Sequence, residues 1–219
     1  MPSLVIPYGT STPLPGGPAV TIDTGAHDPL RLNDGPYSYD DGTQGPGPTA
    51  AERLDFLREH LTELCDLWAK RPRQFVALYF QMIERVMERD RAAIGDRTRR
   101  LGGLFSPADY AFSALRPLPR AHLNTVRVDF AFWTGEAVIA VDITGDDARS
   151  PAWQARRDAL AAARAQPLEI PSATIARADP AALEALLPPE FTAFWQGEAL
   201  PSSPFKASGL DTVSAAPDF

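Results

Sequence analysis

Cysteine occurs once in this chain of 219 residues, at Cys65. A single thiol excludes an internal disulfide framework and any zinc site built on cysteines, and it fits a reducing cytoplasm. Long apolar runs are also missing: none approaches the ~20 residues that a membrane helix needs. The opening Met1-Pro2-Ser3-Leu4-Val5-Ile6-Pro7 has no basic start and no extended apolar core. The expectation is therefore a cytoplasmic protein with no secretory signal and no membrane contact. Basic charge is short, with 21 Lys and Arg against 28 Asp and Glu and a net charge of -7. That balance argues against a protein that coats nucleic acid indiscriminately, but it permits an enzyme that meets DNA on one face. Lysine is the scarcest cation, present only as Lys70 and Lys206.

What remains is one domain of ordinary size with extensions. Residues 1–48 are rich in proline and glycine, with Tyr8, Tyr37 and Tyr39 set among turn signals. Such a segment buries little apolar surface, so an extended or loose arm is expected, one able to dock on a partner protein or a second copy. Order should begin at Thr49-Ala50-Ala51-Glu52, a capping box in which the Thr hydroxyl and Glu carboxylate satisfy free N–H groups of the first turn. Leu54, Leu57, Leu61, Leu64 and Trp68 then form one helical stripe, ended by Arg71-Pro72. A second helix over 73–93 carries Phe75, Tyr79, Met82, Ile83 and Val86 and stops at Gly95. The two make an αα-hairpin over 49–95, its stripe either core or a dimer seam.

An α/β core is expected over 96–196, followed by a loose tail over 197–219. Arg116-Pro117-Leu118-Pro119-Arg120 is extended by its prolines. Ser150-Pro151 starts a helix to about residue 165. Leu168–Ala176 reads as a strand, Asp179-Pro180 caps another helix, and Pro188-Pro189 opens a last one with Phe191, Phe194 and Trp195.

The chemistry concentrates in residues 126–145, two strands joined by a tight turn with a carboxylate in each. Carboxylates in apolar strands are unfavourable unless something pairs with them. A two-residue turn at Thr134-Gly135 places Arg127 opposite Asp142 and Asp129 opposite Ala140. Period-two alternation gathers Arg127, Asp129, Asp142 and Thr144 on one face, and leaves Val126, Val128, Phe130, Phe132, Ile139, Val141 and Ile143 on an apolar face that must be core. With Asp129 diagonal to Asp142 at ~7 Å or less, one hard divalent cation could bridge them. Alternatively, Arg127 neutralises Asp142 as a cross-strand ion pair and no metal is needed. Spacing leaves both open.

Val-Asp-Phe-Ala-Phe, then Ala-Val-Ile-Ala-Val-Asp-Ile-Thr-Gly, then Arg-Arg-Asp-Ala-Leu on a helix, then Leu-Glu-Ile-Pro on a strand resembles the PD-(D/E)xK nucleases. More narrowly, it resembles the very-short-patch-repair endonucleases and their uncharacterised relatives. The resemblance covers about residues 97–196. It implies a restriction-endonuclease-like mixed sheet flanked by helices, and a Mg²⁺- or Mn²⁺-dependent endonuclease acting on DNA. Asp129 and Asp142 would be metal ligands, joined by the Ile143 carbonyl. The metal would polarise the scissile phosphate and lower the pKa of a bound water. Thr144 stands where the family usually carries Lys, and Arg127, Arg156 or Arg157 would have to supply the missing cation. Arg97, Arg99, Arg100, Arg116 and Arg120, in a segment of local charge +5 that ends at Arg127, would meet the DNA backbone. The departure at Thr144 keeps a second expectation in play: an inactive scaffold of the same fold that serves as a protein-interaction module.

Overall fold

The computed structural model of the protein describes residues 3–13, 15–34, 49–102, 105–145 and 151–196, without the side chains of 151–153. Within these the architecture is α+β. A four-stranded mixed sheet runs in the order β3 (Leu118–Leu123), β4 (Val126–Trp133), β5 (Val138–Thr144), β6 (Ala165–Pro171). The first three strands are antiparallel neighbours. The fourth runs parallel to β5 and is reached through helix α4 (Pro151–Ala162). A parallel neighbour requires such a crossover, whereas antiparallel ones need only tight turns.

One face of the sheet packs on helix α2 (Lys70–Arg89), whose Phe75, Tyr79, Met82, Ile83 and Val86 are all buried. They meet Phe130, Phe132, Ile139, Val141 and Ile170 in one core. Its centre is aromatic: Phe75 lies 4.6 Å from Phe130 between ring centroids, and Phe132 lies 4.8 Å from Phe191. The Tyr79 hydroxyl, fully buried, donates to the Leu115 carbonyl at 2.7 Å. The opposite face carries a second core, in which Ala131, Trp133 and Ala140 meet Leu160 of α4.

The capping box at Thr49 is present: the Thr49 hydroxyl accepts from Glu52 N–H, and the Glu52 carboxylate from Thr49 N–H. Helix α1 (Ala50–Glu63) buries Leu57 and Leu61. The expected stripe does not reach Trp68. The helix has already ended, Asp66 accepts the Trp68 N–H in a turn, and the indole is 92% exposed. Nor does Pro72 break a helix. It sits in the first turn of α2, where an N–H has no intrahelical acceptor to lose. Gly95 falls inside the next helix, α3 (Arg91–Arg100), instead of ending the one before. The expected strand at Leu168–Ala176 lies three residues earlier as β6, and Ser172–Arg177 is the short helix α5. Asp179 caps α6 (Pro180–Leu186) by accepting from Ala181 and Ala182. Pro189–Phe191 is a single 3₁₀ turn.

The N-terminal segment is the largest correction. Strands β1 (Ser3–Pro7) and β2 (Ala19–Asp23) form a hairpin that buries Ile6, Tyr8 and Ile22 in the second core. The chain then runs across the sheet edge as a strap. Leu30 N–H donates to Trp133 O, Leu32 N–H to Ala114 O, and Arg116 N–H to Leu30 O. Alternating Leu4, Ile6, Val20 and Ile22 carried this signal beneath the proline and glycine. Tyr37, Tyr39, Ser150 and residues 197–219 lie outside the described residues.

Candidate functional site

The β4–β5 turn decides the site. It spans four residues, with Thr134 N–H donating to Ala137 O at 3.0 Å and Thr134 Oγ1 accepting from Ala137 N–H at 3.1 Å. Trp133 therefore pairs with Val138 and Phe130 with Val141, two residues away from the register of a two-residue turn. A shift of two preserves each side chain's face, so Asp129 and Asp142 still share one. It changes who stands opposite whom. The Phe130–Val141 pair, continued by one residue, sets Asp129 beside Asp142, and Arg127 is not Asp142's neighbour.

The two carboxylates are tied to each other's strands. Asp129 Oδ2 accepts the Ile143 N–H at 2.8 Å, and Asp142 Oδ1 accepts the Asp129 N–H at 3.3 Å. The cation is Arg156, from the second turn of α4. Its Nε donates to Asp142 Oδ2 at 2.8 Å and its Nη2 to Oδ1 at 2.7 Å, a two-pronged fork. Nη2 also donates to the Arg127 carbonyl. The pair is largely enclosed, with Asp142's side chain 10% exposed and Arg156's 32%. The Asp142 carboxylate holds the guanidinium pKa above its usual value. Burial pushes the Asp129 carboxyl up, against the Ile143 N–H, which lowers it, and with help from the Asp142 charge.

Between β4 and α4 the surface opens into a cleft of about 470 Å³ lined by Thr125, Arg127, Asp129 and Arg156, among others. Arg127 is exposed. Glu169, half-buried on β6, stands in register beside Asp142 on the same face and completes a row of three acids across neighbouring strands. Its alternation with Leu168 and Ile170 was the signal for it. Thr144 is half-buried at the end of β5, two residues from Asp142 and thus on its face.

The apolar face is less regular than alternation predicts. Phe130 and Phe132 belong to the first core, but Val126 and Val128 belong to the second with Ala131. The change falls at Asp129, across from Arg120, which lies between the paired Pro119 and Ala121 and has a left-handed φ of 53°. A left-handed residue inside a strand breaks the pleat that sets alternation.

The other arginines do not form one basic strip. Arg116 is buried, donating to Asp34 O at 2.6 Å and Tyr8 Oη at 3.2 Å. Arg120 reaches Gly9 O at 3.3 Å and the Ser11 hydroxyl. Arg97 donates to Gln196 O at 3.1 Å and lies over Tyr110, while Arg99 pairs with Asp96. Arg100 is exposed at the end of α3.

Magnesium, which the family resemblance implies, does not fit these residues as they are arranged. Both Asp142 oxygens accept from a guanidinium, a neighbour that repels a dication. Burial raises the pKa of the Asp129 carboxyl, which disfavours the charged form that a hard cation needs as a ligand. Among the described residues, no group of three or more His, Cys, Asp or Glu side chains is arranged to hold a metal ion. No helix among them is long and apolar enough to cross a membrane. No family model, curated protein or solved structure matches this chain.

Proposed function

We propose that this chain is a non-catalytic protein of restriction-endonuclease-like fold, a scaffold and protein-interaction module. The fold reading rests on the antiparallel β3-β4-β5 meander, the α4 crossover and the parallel β6. The functional reading rests on one observation: the Arg156 fork takes both oxygens of Asp142. An arginine in that place satisfies the buried carboxylate and removes the need for a metal. Thr144 brings no charge that would restore a nuclease site. Leu67 and Trp68, 74% and 92% exposed at the α1–α2 corner, supply a protruding apolar pair for a partner protein or a second copy.

One observation favours the second reading, a metal-dependent endonuclease. Asp129, which stands beside Asp142, lines a cleft that carries two arginines. Activity would then require Arg156 to leave Asp142. Incubation of supercoiled plasmid with Mg²⁺ or Mn²⁺ separates the two. The proposal expects no nicking by the wild type beyond that of Asp142→Ala. Metal-dependent nicking that Asp142→Ala abolishes would overturn it. The interaction role is read separately by light scattering: Trp68→Ser should lower any self-association of the wild type.

A further inference from the structure

We infer that the cleft between β4 and α4 is a binding site for a single phosphate group, free or as a small phosphate monoester, held by Arg127 and by an Arg156 that Asp142 keeps in position. This goes beyond the scaffold reading and needs no catalysis. It asks only for two guanidinium groups in one cleft.

Arg156 spends Nε and Nη2 on Asp142 and the Arg127 carbonyl. Its Nη1 makes no bond to any described residue, and about a third of the side chain is open to solvent in a residue that lines the cleft. Ordinarily a long arginine side chain must lose its rotamer freedom when it grips a ligand. Here the fork to Asp142 has already fixed it, so that cost falls on folding and not on binding. The acid that would hold a metal in a nuclease thus acts as the support of a cation. Arg127, from the adjoining strand, lines the same cleft. Its guanidinium forms no hydrogen bond or ion pair with a described residue, yet it lies close enough to Asp129 to lower that carboxyl's pKa. Two guanidinium groups on one cleft match the several oxygens of a phosphate better than a lone cation does. The Thr125 hydroxyl at the rim adds a neutral donor.

The size of the ligand follows from what surrounds the cleft. A polynucleotide needs a track of cations along its backbone. Arg116 and Arg120 are bound to the N-terminal segment, Arg97 to Gln196, and Arg99 to Asp96. Among the described residues, these four arginines are thus engaged and do not extend the charge of the cleft into a track, and the net charge of the chain is -7. The volume of the cleft, about 470 Å³, leaves room beside a phosphate for a small organic group. Asp129 also lines the cleft and opposes any anion there. Its Oδ2 is turned to the Ile143 N–H, which it accepts at 2.8 Å.

The test is calorimetric titration of the full chain with inorganic phosphate, phenyl phosphate and a short DNA duplex at fixed ionic strength. Wild type should bind one phosphate, and Arg127→Ala should weaken it on the order of tenfold, the loss of one charge-assisted contact. Arg127 is exposed, so this variant should fold as the wild type does. Arg157→Ala, an exposed arginine outside the cleft lining, should bind like wild type. Tighter binding of phenyl phosphate assigns an organic phosphate, and equal binding assigns the free ion. No binding at millimolar phosphate, equal binding by Arg127→Ala, or binding of the duplex alone would each overturn the inference.

Discussion

Arg156 holds both carboxylate oxygens of Asp142, at 2.8 and 2.7 Å, from a helix that begins only nine positions after that aspartate. The contact joins the sheet to the α4 crossover through a residue enclosed on most sides. Truncating Arg156 to Ala would strip the fork from Asp142, a residue only 7% exposed with the arginine in place. Breaking a fully buried pair costs about 3–5 kcal/mol. Because a third of the arginine side chain meets solvent, about 1–3 kcal/mol is expected, near the range for a hydrogen bond to a charged group. Urea denaturation of Arg156→Ala reads it directly. Asp142→Leu combined with Arg156→Met should recover most of the loss, since apolar replacements of both partners leave no charge stranded. Equal stability of wild type and Arg156→Ala would show that the fork is not a structural tie.

Asp129 sets a pH dependence of definite sign. Burial raises its folded pKa above the unfolded value of about 3.9. Between those two values the folded chain keeps a proton that the unfolded chain has lost. Stability from this group therefore falls as pH rises through that interval, and is fully present only below the unfolded pKa. Asp129→Asn removes the ionisation and keeps an oxygen for the Ile143 N–H. The variant should flatten the mildly acidic part of the stability profile and be at least as stable as wild type at neutral pH. Chemical denaturation across pH 4 to 7 (roughly the span between a free carboxyl and neutrality) would reveal it. A neutral-pH loss comparable to that of Arg156→Ala would contradict the assignment.

Cys65 is buried under the α1–α2 corner, and that burial pushes its thiol up to about 12. The thiolate is the reactive form. At pH 8 the native protein should react with a thiol reagent only as fast as it opens, and fully in denaturant. Rapid stoichiometric labelling of the native state would show that the corner is not closed.

Most of the sheet was legible in the sequence because alternation, proline and capping residues act locally. The Thr49 box, the strands around Phe130 and Val141, and the Asp179 cap are each decided by their own neighbours. The shared face of Asp129, Asp142 and Thr144 was legible too, since a register error of two leaves faces unchanged. The partner of Asp142 was not. A Thr134–Ala137 turn instead of Thr134-Gly135 moves Arg127 away, and only the α4 crossover brings Arg156 in from fourteen positions along the chain. The fate of the arginines was hidden for the same reason. Arg116 and Arg120 are claimed by the N-terminal hairpin and strap, over a hundred residues earlier in part. Nothing in their local sequence announces a buried cation.

The N-terminal strap meets the β4–β5 turn at one glycine, and that contact yields the sharpest stability test. Gly135 has a φ of +97°, and a Cβ placed there would lie 2.4 Å from the His27 carbonyl oxygen. Both the backbone angle and the close approach demand glycine. The opposing atom belongs to backbone held by Leu30 N–H on Trp133 O and by the Trp133 indole on Asp28 O at 2.8 Å, so it has little room to retreat. Gly135→Ala should therefore cost more than the ~1 kcal/mol of an unfavourable φ alone. The strap should loosen first, because moving it is easier than rebuilding the sheet. Limited proteolysis should cut the variant between residues 24 and 34 faster than wild type, together with a lower thermal midpoint. An unchanged cleavage pattern would mean that the N-terminal segment does not rest on this turn in solution.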